Sequence, residues 1–246
     1  VPNAPAADQR RLLDVQALDT RLDQLAHKRR TLPELARIAE LDAQVADLHT
    51  ALVTSQTAVA DLRRELAKAE ADVQQVRDRS ARNQSRLDAG QGTAKDLQAL
   101  QHELESLAKR QGDLEEVELE VMERLEAHES ALGEVSAAHA QLVESRSAVE
   151  AQRDAALADV DAQVAQVQAE RSTAAAGLDA TLVALYDRLR GQLGGVGAAA
   201  LRGRRCEGCR LELNPLDLDA ITNKPDDAVV RCEECGRILV RLPEGQ

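Results

Sequence analysis

Apolar residues recur along most of this chain at alternating steps of three and four. Ile38, Leu41, Val45, Leu48, Leu52, Val59, Leu62, Leu66, Val73, Val76 and Leu87 hold one such spacing, with Ser55, Ala69, Ser80 and Asn83 as its gaps. A 3.5-residue repeat held over roughly seven heptads predicts a left-handed coiled-coil seam rather than the broader stripe of a lone surface helix. The pattern stops at Asp88-Ala89-Gly90-Gln91-Gly92, where two close glycines read as a loop. Thr93 and Asp96 then resemble a capping pair, with Asp in place of the usual Glu. The spacing resumes through Leu97, Leu100, Leu104, Leu107, Leu114, Val121, Leu125, Leu132, Val135, Leu142, Val149 and Val160, with His128 and His139 on the same seam.

Two such runs joined by a short loop predict an antiparallel hairpin. Facing a and d positions match for residue numbers that sum to 187, such as Val73 with Leu114, and equally for 180, so two registers stay open. A shorter first helix is expected from about Asp8 to Thr31, with Val15, Leu18, Leu22 and Leu25 on one face. Pro33 removes a backbone donor and restricts Leu32, so a kink belongs there. Either register returns this first helix beside residues 150–175. There Ala155, Ala158, Ala162, Ala165 and Ala169 offer small side chains to its leucines. Gly112, Gly133 and Gly177 mark weak points of the second arm. Residues 1–6 read as a disordered tail.

Beyond residue 190 the pattern changes. Gly191, Gly194, Gly195 and Gly197 predict a flexible linker over 191–202, and 203–246 a separate small domain after a helical arm of 1–190 whose tip lies near 88–95. That domain holds all four cysteines, as Cys206-Glu-Gly-Cys209 and Cys232-Glu-Glu-Cys235-Gly236. Two residues between cysteines let one tight turn aim both sulfurs at a single ion, and four thiolates complete the tetrahedron that zinc prefers. Gly208 and Gly236 suit such turns. Val229 and Val230 before the second pair, and Ile238, Val240 and Leu242 after it, read as strands. So small a domain needs a metal to hold it together. One structural Zn2+ is therefore expected, with no position left open for chemistry. Two disulfides or a redox pair fit less well, because a redox pair comes singly beside a βαβ pattern.

Composition narrows the picture. With no Phe, no Trp, one Tyr and a 30% charged fraction, the chain is built for long helices rather than a large core. The net charge of −12 disfavours loose binding of the whole molecule to nucleic acid or anionic membrane. No apolar run is long enough to span a membrane, and the first residues lack a secretory pattern, so a cytoplasmic protein is expected. No phosphate-cradling glycine loop, nucleophile motif or carboxylate pair stands out, so no small-molecule substrate and no enzyme activity are expected. Two basic groups interrupt the acidic background. Arg202, Arg204, Arg205 and Arg210, with Arg237, surround the cysteines, and Arg77, Arg79, Arg82, Arg86 and Lys95 lie near the loop. Tyr186 stands alone, so there is no aromatic platform for unpaired bases.

The ending Cys232-Glu233-Glu234-Cys235-Gly236-Arg237-Ile238-Leu239 after a coiled-coil arm, and the Thr93-x-Lys95-Asp96 start of the second arm, resemble the bacterial C4-type zinc-ribbon, coiled-coil protein family. That resemblance implies an elongated helical hairpin with a terminal ribbon, and contacts with nucleic acid or transcription proteins. The fold class expected is thus mainly α: a long antiparallel coiled-coil hairpin, kinked near Pro33, with a small C-terminal β zinc ribbon. The function expected is a non-catalytic adaptor that presents arm and ribbon to protein partners. The alternative is a regulator that grips RNA or DNA through the arginines of the ribbon.

Overall fold

In a computed structural model, residues 3–242 of the chain are described. They form α1 (Ala6–Arg30), α2 (Pro33–Asp88), α3 (Ala94–Ala175), α4 (Ala180–Gln192), β1 (Ala198–Arg202), β2 (Arg205–Cys206), α5 (Pro215–Thr222), β3 (Val230–Arg231) and β4 (Ile238–Arg241). The chain divides into two compact units: Ala36–Glu150, and the remainder.

The unit Ala36–Glu150 is the antiparallel hairpin of α2 and α3. Ile38, Leu41, Val59, Leu62, Val73, Leu100, Leu114 and Val121 are buried along its seam. His49 lies beside His139, and Arg146 pairs with Asp42. Both pairs sum to 188, which places the register next to 187 and away from 180. The other cross-arm ion pairs, Arg63–Glu129 at 2.5 Å, Arg77–Glu115 at 2.6 Å, Arg124–Glu65 at 3.4 Å and Arg79–Glu103, scatter on both sides of that value. Exposed pairs of this kind contribute about 0–1 kcal/mol each, so apolar burial carries the stability and the charges help select the pairing. At the loop, the Thr93 amide donates to Asp96 Oδ2 (2.8 Å) and the Asp96 amide to Thr93 Oγ1 (3.3 Å), a capping box with the shorter acid. Gly112 and Gly133 interrupt nothing, because α3 is continuous through both. A helix already held by a packed neighbour absorbs a cost of about 1 kcal/mol per glycine.

In the other unit, Pro33 opens α2 as its first helical residue, where a missing N–H is harmless. Leu18, Leu22 and Leu25 of α1 pack against Val160, Val164 and Val167 of α3. The alanines expected to receive them leave this role to the valines. The Arg11 guanidinium donates to the carbonyls of Ala174 (3.0 Å) and Ala176 (2.8 Å), closing the C-terminal end of α3. Asp179 caps α4 by accepting from the amides of Thr181 (2.9 Å) and Leu182 (3.0 Å).

Two expectations are corrected here. Of the tail, residues 1–2 lie outside the described residues, but Asn3 bridges to Ala228 and Ala4 is buried, its amide donating to Asp227 O at 2.8 Å. Residues 198–202, expected as the end of a flexible linker, are strand β1. The sheet runs β2-β1-β4-β3, with β1 and β4 parallel and both outer pairings antiparallel. Its two faces bury different things. Ala198, Ile238 and Val240 join Leu12, Val15, Leu182, Tyr186 and Leu189 of α1 and α4 in one core. Ala199, Leu201, Leu239 and Val230 join Cys206, Cys232, Leu213 and Ile221 in another. The cysteine-bearing sheet therefore shares its core with the helices instead of hanging from them on a linker.

Candidate metal centre

Strand pairing builds the centre. The β1–β2 hairpin turns at Gly203 and Arg204 and places Cys206 at its end, while the β3–β4 ladder places Cys232 just past β3 and Cys235 just before β4. Each Cys-x-x-Cys segment closes on itself in the same way. The amide of Arg210 donates to Cys206 O and that of Gly236 to Cys232 O, each at 2.8 Å. The residue after each pair is left-handed: Gly236 at φ +74° and Arg210 at φ +63°. Gly236 meets that need at no steric cost, whereas Arg210 carries a side chain there. Gly208 serves a different end. A Cβ on it would lie 2.8 Å from Arg237 Cδ and 2.9 Å from Ala199 Cβ, so it keeps the knuckle close to the sheet.

The four sulfurs lie within 4.8 Å of one another, Cys206 to Cys235 at 3.9 Å and Cys209 to Cys232 at 4.0 Å. Sulfurs about 2.3 Å from a common tetrahedral zinc stand about 3.8 Å apart. The donor set thus fits zinc in identity and in spacing. Burial pushes the Cys206 thiol up, and the Cys232 thiol up to about 12, against backbone N–H groups of Gly208 and Cys209 and of Glu234 and Cys235 that favour the thiolates. At Cys235 burial is outweighed by the Arg237 backbone and side chain and by Cys232 and Cys209, which bring it down to about 7. Zinc, when bound, holds such sulfurs as thiolates.

The arginines named from the sequence divide into two groups. Arg202, Arg204, Arg205 and Arg210 are exposed around the β1–β2 hairpin. Arg205 Nε donates to Arg210 O at 3.0 Å, which folds the hairpin against the first knuckle. Arg237 is not with them. It is half-buried, and it donates to Val196 O (3.0 Å) and Leu193 O (3.1 Å). These bonds tie the second knuckle to the turn that follows α4. Near the hairpin loop Arg77 and Arg79 are engaged by Glu115 and Glu103, leaving Arg82, Arg86 and Lys95 exposed.

A buried polar cluster lies under the sheet and was not found from the sequence. Asp19 is only 2% exposed. It accepts from Tyr186 Oη at 2.7 Å and from Arg171 Nε at 2.6 Å. Arg190 adds a bond to Asp23 at 2.6 Å. Gln16 Oε1 accepts the amide of Gly197 at 2.8 Å and so fixes the start of β1 on α1. Asp19 lies one residue from the apolar face position Leu18, so the only sequence signal is an acid beside a helix face that is buried on a second side.

A model of the CT398-like coiled coil hairpin domain matches residues 15–194, and one of the C4-type zinc ribbon domain matches 205–239. A Mycobacterium tuberculosis protein described as uncharacterized is 38% identical over 239 residues, which is 97% of each chain. A solved structure from Mycobacterium smegmatis is 37% identical and superposes with a TM-score of 0.87, covering 98% of this chain and 100% of its own. CT398 from Chlamydia trachomatis shares the fold at a TM-score of 0.68 and 19% identity, covering 96% of this chain and 98% of its own. Among the described residues, no helix is long and apolar enough to cross a membrane.

Proposed function

The chain belongs to the CT398-like coiled-coil hairpin family with a C4-type zinc ribbon, and from that footing we propose that it is a non-catalytic adaptor. In this reading Cys206, Cys209, Cys232 and Cys235 hold a single structural zinc ion. The helical hairpin of α2 and α3 and the zinc ribbon each offer a surface to protein partners. A reducing cytoplasm suits the assignment, since the thiols must stay free to bind the ion. The observation that carries it is the closed donor set. Four sulfurs within 4.8 Å of one another would fill a tetrahedral shell and leave no position on the ion for a substrate or an activated water.

Partner contact is supported by the hairpin surface. Leu119 and Met122, three residues apart on one helix face, are 59% and 46% exposed. A photo-crosslinking residue in place of Leu119, used in the native cytosol, should give one discrete protein adduct. The Met122→Glu change should reduce that adduct sharply while helical circular dichroism is retained. No adduct from this face, with crosslinks to nucleic acid from position 204 instead, would overturn the adaptor reading.

That second outcome belongs to the alternative of an RNA- or DNA-binding regulator. Its support is the exposed group Arg202, Arg204, Arg205 and Arg210. Such contacts go to phosphates and fall steeply between about 50 and 200 mM salt. A salt-titrated mobility shift with the Arg204→Glu variant as control tests it. Binding that neither salt nor the variant weakens would contradict a phosphate grip.

A further inference from the structure

We propose that His49 and His139 form a second metal site, a two-imidazole clamp for a divalent transition-metal ion that joins α2 to α3. The two side chains come from opposite arms of the hairpin, and their ring centroids lie 5.8 Å apart with the planes inclined by 44°. With each ring nitrogen about 2.1 Å from a shared ion, two imidazoles at a tetrahedral angle stand about 5 Å apart centroid to centroid. The observed separation is within about 1 Å of that value, and exposed His49 and half-buried His139 have room to turn a ring nitrogen toward a shared ion.

The surroundings favour a cation. The positions three and four residues from either histidine are Ser136 or apolar residues, so no lysine or arginine lies one turn away on its own helix. The chain as a whole carries a net charge of −12. Neutral imidazole suits Zn2+, Ni2+ and Cu2+, whereas Mg2+ and Ca2+ prefer oxygen. Two protein ligands leave the remaining positions to water, so the ion exchanges readily, unlike one in the closed set of four cysteines. The ligands are 90 residues apart in sequence and meet only in the folded hairpin. An ion that binds them binds the folded state alone and so stabilises the pairing of the arms. The separate Arg146–Asp42 pair has the same sum of 188, so the two positions face each other in a register that does not rest on the histidines alone. Among the described residues, His27, His102 and His128 have no histidine beside them in this way.

Calorimetric titration of the untagged, zinc-loaded full-length protein with Ni2+ tests the site, alongside His49→Ala, His139→Ala and His128→Ala. The wild type and His128→Ala should take up one further ion per chain with zinc content unchanged. His49→Ala and His139→Ala should each weaken that uptake by more than about tenfold. The thermal midpoint of the wild type should rise with added Ni2+, and that of His49→Ala should not. No uptake by the wild type, or equal uptake by all four proteins, would overturn the proposal. The second result would place the ion at the cysteines or elsewhere.

Discussion

Tyr186 is the one phenol of the chain, fully buried between α1, α4 and the sheet, with its hydroxyl on the buried Asp19 carboxylate. Burial first, and the Asp19 charge second, push its pKa well above the ordinary 10.0. The phenol is neutral when protonated, so its contribution to stability is complete below about pH 10 and is lost as pH rises beyond. Because there is no Trp, absorbance near 295 nm reads this side chain alone. Phenolate should appear only as the helices unfold; a normal titration with intact circular dichroism would refute the buried placement. Removing the hydroxyl with Tyr186→Phe takes one donor from a buried charge and should cost about 2 kcal/mol in denaturant unfolding. This cluster was not legible in the sequence. A lone Tyr beside a helix end reads as packing, and nothing in a heptad pattern marks an acid on which side chains of α3 and α4 converge.

The elements show where local reading succeeds and where it fails. Long α2 and α3 were legible because a 3.5-residue repeat has one structural meaning when held so far. The knuckles were legible because two cysteine pairs at that spacing have few other uses. Residues 198–202 are a strand and not linker, and the sequence hides this because glycine density signals both flexibility and close approach. Gly194 and Gly195 are left-handed, and a Cβ on Gly197 would lie 2.7 Å from Tyr186 O and 3.0 Å from the Arg190 amide. β1 begins with three alanines, poor strand formers, and exists because it pairs with β4. Gly197→Ala should therefore separate β1 from α4 and cost roughly 1–3 kcal/mol, read as a lowered thermal midpoint. Opposite signs are expected at the two knuckles. Gly236→Ala should destabilise, whereas Arg210→Gly should relieve a left-handed arginine and stabilise by up to about 1 kcal/mol.

At the scale of the whole molecule, the ribbon and the helices α1 and α4 share a core, so the two are energetically coupled. An independent ribbon would let Cys232→Ser release the metal and leave every helix untouched. The shared core predicts something else: hydrogen exchange should rise in α1 and α4 as well as in the ribbon, while α2 and α3 within Ala36–Glu150 keep their protection. The claim on which the adaptor reading rests is the saturated coordination sphere, and X-ray absorption with metal analysis on untagged protein tests it directly. One zinc per chain with four sulfur neighbours at about 2.3 Å is the predicted result. Protein free of metal, or a zinc with an oxygen or nitrogen in place of a sulfur, would contradict it.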